Sequence, residues 1–384
     1  MRNNISHKKP LALYIHIPFC VQKCLYCDFL SAKASDTEKE RYLDKLLREL
    51  AYWRERICDS YEIRTVFVGG GTPTCLEPRL WLRLGEALSD LSEHTIEFTI
   101  EANPGTVTDE HMDVFQAIGV NRISLGLQSA QDNELKALGR IHDYKIFQQT
   151  YERLREKGFD NINIDLMEDI PEQTVSSYRS TLEKVLACMP EHISSYSLIV
   201  EEGTPFYRMQ EEGKLLIPDE DTDREMYQMT QEILAEAGYH RYEISNYAKA
   251  GRECRHNLTY WSMDEYLGIG LGASSFFQGY RFTNETDWNR YLSLPESELS
   301  KPHHFVTRQE EMEEYVFLGL RMMQGISLEA YQKRFQVDFQ KQYQTVLPAL
   351  FEKSLLAVDK NHDRIYLTNK GIDVSNTVLA EFLL

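Results

Sequence analysis

Apolar residues along the first half of the chain follow two alternating rhythms. Short runs rich in Val, Ile, Phe and Tyr, bounded by Gly, Pro or Asn, occupy residues 11–17, 64–68, 96–102, 122–127, 161–167 and 193–200. That length and composition predict β-strands. Amphipathic stretches of helical period lie between them. The clearest covers residues 37–57, where Tyr42, Leu43, Leu46, Leu47, Leu50 and Trp53 share one face. Ser35, with Glu38 three residues on, gives it a capping-box start. Strands alternating with helices read as repeated βα units and a parallel sheet, because parallel neighbours need crossover connections. The pattern leaves open whether that sheet stays flat or curls into a partial barrel. Either way, function belongs at the carboxyl ends of the strands.

After about residue 215 the alternation fades. Gly268, Gly270 and Gly272 mark a tight segment where backbone approaches backbone. From Thr307 the pattern turns helical, then ends in a strand-like piece at 364–368 with 369–371 as a turn. That is the outline of a small helical or winged-helix appendage. The expected division is an α/β unit over residues 8–215, a connecting region over 216–300 and a mostly helical C-terminal domain over 301–384. There are no internal repeats and no low-complexity tract.

A chain of 384 residues exceeds one ordinary core, and 42% hydrophobic with 27% charged residues is a folded, globular balance. No apolar run approaches the roughly 18 residues that cross a bilayer. Residues 1–10 are polar and basic, and the short apolar stretch after them contains His16 and runs into cysteines. That is a poor signal peptide, so a cytoplasmic location is expected. The net charge of −18 argues against a broad nucleic-acid surface, though not against a local basic pocket for a carboxylate. With no export signal, seven cysteines point to a metal or redox site before a disulfide framework.

Three of them stand together in Tyr14-Ile-His-Ile-Pro-Phe-Cys20-Val-Gln-Lys-Cys24-Leu-Tyr-Cys27-Asp-Phe29, just after the first predicted strand. Three thiolates in this space can wrap one cuboidal cluster, and thiolate softness favours iron–sulfur or zinc. A structural zinc ion would want a fourth ligand, which Asp28 or a distant histidine could supply. Three unrelated core cysteines are the bland alternative. Cys58, Cys75, Cys188 and Cys254 are scattered and read as buried free thiols. After the second strand, Gly69-Gly70-Gly71-Thr72-Pro73-Thr74 lets backbone approach a ligand closely, although a tight βα turn needs the same residues. Further polar residues close later strands: Glu101, Gln128 and Asp165. Singly each reads as a cap or turn residue; at equivalent places in successive βα units they should converge on one mouth. Arg140 can pair with a carboxylate or simply lie on the surface.

The C-x3-C-x2-C spacing resembles the signature of the radical S-adenosylmethionine (SAM) superfamily, and the set as a whole is similar to its anaerobic coproporphyrinogen-oxidase-like branch. The likeness runs from Leu11 to about Phe276 and more loosely beyond. It implies a partial (β/α)6 TIM-like barrel and a [4Fe–4S] cluster on Cys20, Cys24 and Cys27, with one iron open to SAM. By motif, Tyr14, Tyr26, Gly70, Gly71, Thr72, Glu101, Gln128, Arg140 and Asp165 match the branch's SAM-contacting positions. Tyr26 stands where an aromatic ring lies near the adenine.

Two subgroups of the branch differ in features visible here. The oxidase carries a fourth cysteine where this chain has Phe29, and a longer segment ahead of its cluster than the residues preceding Tyr14. Conversely, Cys254-Arg255-His256-Asn257-Leu258-Thr259-Tyr260-Trp261 matches the H-N-x-x-Y-W motif of the branch's heme chaperones. That resemblance implies heme binding by His256, Asn257, Tyr260 and Trp261, and imidazole is a standard axial ligand beside flat aromatic surface. On residues alone, a lone histidine is more often a hydrogen-bonded core or surface group. The implied partners are heme, a heme-acceptor protein, a reductant such as flavodoxin or ferredoxin, and a second copy in a homodimer. The implied location is the cytoplasm, with peripheral membrane association during heme delivery.

The chain departs from the branch in two loops. Glu168, Asp169 and Glu172 intrude where the branch has a glycine pair and Pro-Gly, and Ala273-Ser274 replaces Ala-His. Two competing functions stay open. One is oxidative decarboxylation of coproporphyrinogen III through reductive cleavage of SAM, chemistry that the cofactor carries. The other is RNA modification, which the acidic balance opposes.

Overall fold

The computed structural model describes residues 8–361 and 363–383. Most of the basic N-terminal stretch (residues 1–7), His362, and Leu384, the last residue of the expected C-terminal domain, lie outside the described residues. The six expected strands form β1 (Lys9–Ile17), β2 (Tyr61–Gly70), β3 (Glu97–Ala102), β4 (Arg122–Gln128), β5 (Ile162–Glu168) and β6 (His192–Ser197). They pair in parallel in chain order, with helices in the crossovers. Their alternate side chains meet those helices in one continuous apolar core running from Leu11 through Val66, Ile100, Leu125 and Ile164 to Ile193. The carboxyl ends of β2 to β6 nevertheless line a single cavity, which a flat sheet with strands about 4.8 Å apart would not allow. The sheet is therefore curled, as the radical-SAM resemblance implied.

Residues after 215 extend this sheet at both edges, giving twelve strands. Asn246–Ala248 and His240–Arg241 add antiparallel strands beside β6. Beside β1, Tyr266–Ile269 pairs in parallel, followed by antiparallel Ser274–Phe277, Tyr280–Asn284 and Ser300–Phe305. The C-terminal unit has a core of its own, with Val316, Leu320, Tyr331, Phe335 and Ile365 at its centre and Tyr227 and Ile244 of the preceding region packed against it. It is mostly helical, with a small three-stranded antiparallel sheet. The expected turn at 369–371 is instead the start of helix Asn369–Asp373, because the Thr368 hydroxyl caps it by accepting from the Gly371 amide. No helix among the described residues is long and apolar enough to cross a membrane.

The first helix, α1 (Asp36–Ile57), begins with the predicted capping box: Glu38 takes the Ser35 amide at 2.8 Å while the Ser35 hydroxyl accepts from the Glu38 amide. Tyr42, Leu43, Leu46 and Leu50 are buried, and Leu47 and Trp53 half-buried. Two polar residues are buried as well. Lys45 donates to the Leu294 carbonyl and to Glu296, and Glu49 accepts from the Gly270 amide, Asn284 and Tyr291. The added strands and the helix Trp288–Ser293 lie over a face that periodicity alone would leave in water.

Burial pushes the Glu49 carboxyl up to about 7, against the hydrogen bonds from Tyr291, Asn284 and Gly270. An unfolded glutamate titrates near ~4.3, so the folded state holds an extra proton between those values. The stability this group contributes is complete below about 4.3 and is lost as pH rises through about 7. Denaturant titrations should therefore show the native chain losing stability relative to Glu49→Gln as pH rises across that window. A difference independent of pH would contradict the assignment.

Candidate functional site at the mouth of the barrel

The cysteine loop leaves β1 and returns beside it. Its neck is closed by the Cys20 amide on the Ala32 carbonyl and the Ala32 amide on the Pro18 carbonyl, both 3.0 Å. The loop is tied sideways to the turn that follows helix Asp132–Ala137, with the Leu25 amide on the Leu138 carbonyl and Gln22 Nε2 on the Gly139 carbonyl. His16 fixes the return arm: Nε2 donates to the Leu30 carbonyl at 2.9 Å, leaving Nδ1 to accept from the Tyr14 hydroxyl at 3.0 Å. Glycines at the end of β2 then press against the loop. The Gly71 amide donates to Ile17 and the Thr72 amide to Phe19, and a β-carbon on Gly71 would lie 2.6 Å from the Phe19 carbonyl oxygen. Gly70, at φ 116°, would drive a β-carbon into the His16 ring. Here the glycines are demanded by backbone packing, as well as by any ligand.

Cys20, Cys24 and Cys27 are free thiols and all line the mouth cavity, of about 400 Å³. Cys20 Sγ lies 3.5 Å from the Thr72 hydroxyl, and Arg140 Nη1 reaches Cys24 Sγ at 3.6 Å. Burial pushes the Cys27 thiol up to about 11, partly offset by the Phe29 amide, so a metal must displace its proton. Among the described residues, no three His, Cys, Asp or Glu side chains converge on a single-ion position. Three soft thiols on one cavity wall are a donor set that fits an iron–sulfur cluster.

Gly70, Gly71, Thr72 and Tyr26 line the same cavity, as do Glu101, Gln128, Arg140 and Asp165. Tyr14 does not reach its wall; it stands behind it, bonded to His16 and stacked on Phe67. The β4–β5 register slips between Gly126 and Gln128, a bulge that turns Gln128 (φ 66°) toward the mouth. Its buried Oε1 has no partner among the described residues, an acceptor available to a ligand. Glu101 takes the Gly70 amide at 3.0 Å, and its carboxyl is pushed up to about 7 by burial and then by Asp165. Asp165 is likewise raised by burial, although Asn163 and Ser124 donate to it. Arg140 is neither free on the surface nor paired with a carboxylate: it bridges Cys24, the Asn103 side chain and the Gly126 carbonyl.

Some cavity residues escaped the sequence reading. Tyr196 lies at the end of β6, where the same strand-end rule could have found it, and residues 198–200, expected as strand, leave the sheet so that Leu198 and Ile199 join the wall. Cys75 is not a buried bystander. It is half-exposed in the turn after Thr72, and burial followed by the nearby Cys20 pushes its thiol up to about 11. Cys58 is exposed and Cys188 half-exposed; Cys254 alone of the scattered thiols is buried.

The 254–261 segment lies away from the cysteine loop, against the middle of β2 and the start of β3. It forms the short helix Arg255–Trp261, whose first amides are taken by the Glu97 carboxylate at 2.9 and 3.0 Å. His256 is 1% exposed, with Nδ1 at 2.9 Å from the Thr65 hydroxyl and Nε2 at 2.8 Å from the Tyr260 hydroxyl. Burial, then Arg122, lowers its pKa to about 3, so the ring is neutral. Thr65 precedes Gly70 by five residues of β2, roughly 16 Å at strand rise. The structure thus separates the segment from the cysteines instead of joining them.

Gly71→Ala should force the glycine turn away from Phe19 and open the cysteine loop. Iron bound after anaerobic reconstitution should fall well below that of the native chain while the far-UV circular dichroism is unchanged. Undiminished iron would show that this close approach does not shape the site.

Comparison with known proteins places the fold and the family. The Radical SAM superfamily matches residues 14–185, and the HemN C-terminal domain matches residues 306–374. The chain is 38% identical over 382 residues to the heme chaperone HemW of Lactococcus lactis subsp. lactis, covering 98% of each. It is 37% identical over 376 residues to the HemW of Bacillus subtilis, covering 96% of this chain and 98% of that one. The solved coproporphyrinogen III oxidase HemN of Escherichia coli superposes with a TM-score of 0.84 over 98% of this chain and 90% of its own, at 22% identity, a likeness of fold. With relatives this similar over nearly its whole length, the chain belongs to the HemW family of radical SAM proteins.

Proposed function

We propose that this chain binds heme and passes it to an acceptor protein, carrying a [4Fe–4S] cluster on Cys20, Cys24 and Cys27 with exchangeable SAM at the open iron. The observation that carries the reading is near full-length similarity to proteins named heme chaperone, beside the His256-Asn257-x-x-Tyr260-Trp261 segment of this chain. When bound, the cluster supplies an electron to SAM. The chain's own residues would hold and shield that pair. Gly70, Gly71 and Thr72 offer a backbone edge free of side-chain bulk, and Tyr26 gives an aromatic wall. Glu101, Gln128 and Asp165 present oxygens to SAM's amino group and hydroxyls, and Arg140 anchors the loop that carries Cys24. Tyr14 would act from behind, through His16.

Heme would be held by His256 as axial ligand, with Asn257, Tyr260 and Trp261 around the macrocycle. Both imidazole nitrogens are engaged in the closed form, so ligation requires the ring to leave the Thr65 and Tyr260 hydroxyls. A reductant of the flavodoxin or ferredoxin type, a homodimer, and a cytoplasmic location with peripheral membrane association during delivery complete the proposal.

Purified chain should take up about one heme, with an imidazole-type Soret spectrum. His256→Ala should weaken binding by about tenfold or more, the scale of about 1.4 kcal/mol or more in a lost ligand. Unchanged affinity would remove His256 as ligand. In the same anaerobically reconstituted sample no protoporphyrinogen should form from coproporphyrinogen III; its appearance would favour the oxidase.

A further inference from the structure

The C-terminal unit packs against the 254–261 segment, which leaves His256 buried and Asn257, Tyr260 and Trp261 partly exposed. Helix Arg308–Arg321 packs on helix Arg255–Trp261, and its Tyr315 and Leu318 join Met263, Phe276 and Val306 in a small apolar cluster next to the segment. At the end of that helix, the Arg321 guanidinium lies 4.5 Å from the Trp261 ring centroid. Its Nη2 is 3.8 Å from Glu243 Oε2, an ion-pair distance too long for a hydrogen bond. Glu243 is itself nearly fully buried, with Oε1 accepting from the Ser245 amide and the Asn246 side chain. Backbone contacts run alongside: Glu243 bridges to Met322, and the Met323 amide donates to the Tyr242 carbonyl at 3.0 Å. The Tyr242 hydroxyl in turn accepts from the Cys254 amide, the residue that opens the heme segment.

This contact leaves polar capacity unused. Arg321 Nε, Glu243 Oε2 and Trp261 Nε1 are buried, and none has a hydrogen-bond partner among the described residues. Unsatisfied buried donors and acceptors are costly, so the closed arrangement holds a set of groups that gain by exchanging partners. The cation also covers the ring face on which a flat macrocycle would stack, and cation–π attraction of this kind is modest.

We propose that Arg321 is a latch: it rests on Trp261 beside Glu243, keeps the 255–261 helix and its His256 closed beneath the C-terminal unit, and must leave before heme enters. The inference rests on the heme reading of the 254–261 segment. If only a fraction of molecules is open, apparent heme affinity is reduced by that fraction, and weakening the latch restores it.

The test uses the full chain and hemin, with Soret stopped-flow kinetics and amide hydrogen exchange, on native protein, Arg321→Met, Glu243→Gln, His256→Ala and Arg321→Met/His256→Ala. Arg321→Met should take up heme roughly three- to tenfold faster, the scale of one cation–π contact, and Glu243→Gln should also be faster than the native chain because the resting cation loses its carboxylate partner. Without heme, residues 255–261 should exchange amide hydrogens faster in both variants. The gain should vanish in the double variant. If His256→Ala loses heme while neither latch variant gains, the latch is wrong and the heme seat stands. Slower or weaker uptake in Arg321→Met also overturns it, pointing to Arg321 as a partner of the heme propionates. Should His256→Ala bind heme like the native chain, the heme reading falls and the latch with it.

Discussion

The candidate cofactor site depends on one close approach of backbone to backbone. Where β2 ends, Gly70 and Gly71 press on Pro18 to Cys20 so tightly that a single methyl group would meet the Phe19 carbonyl or the His16 ring. Two amide hydrogen bonds, from Gly71 to Ile17 and from Thr72 to Phe19, hold the approach. The cysteine loop is then fixed at its neck, along its side by Leu25 and Gln22, and on its return arm by His16. Three thiols end on one wall because their loop has little freedom to place them elsewhere.

The same strands carry both proposed sites at different levels. Thr65, midway along β2, and its register partner Glu97, the first residue of β3, hold the 254–261 helix. Gly70 and Glu101, farther along the same strands, shape the mouth. Between them, the His256 ring lies 5.1 Å from Phe67, and Phe67 stacks on Tyr14 at 6.3 Å. Tyr14 and Phe67 thus stand between the His256 ring and the wall of the mouth.

Buried charge in this protein is satisfied chiefly by neutral donors. Glu49, Glu97 and Glu168 each accept hydrogen bonds from amides or hydroxyls brought in from distant parts of the chain. Glu168 and Asp169 stand where the wider branch carries other residues; Asp169 (φ 63°) and Glu172 (φ 69°) hold left-handed conformations that glycine adopts without strain. Donors from Tyr178, Ser195 and Thr230 surround Glu168, which explains how a carboxylate is tolerated in that interior.

Read alone, the chain determined its βα order, the capping-box start of α1, the cysteine loop and the strand-end positions of Gly70, Glu101 and Gln128, because each is a local pattern with a short physical range; Asp165, expected at a strand end, lies in the middle of β5. Period and spacing are properties of neighbouring residues, so they survive without coordinates. Only the tertiary structure decided that the sheet curls, that Arg140 bridges the loop to β4 instead of meeting a carboxylate, and that Lys45 and Glu49 are buried. The same holds for His256, whose imidazole is enclosed by Thr65, Tyr260 and Phe67 rather than presented to a ligand. Those facts depend on partners separated by tens to hundreds of residues. Burial of a polar group is set by what folds over it, and no local pattern records that.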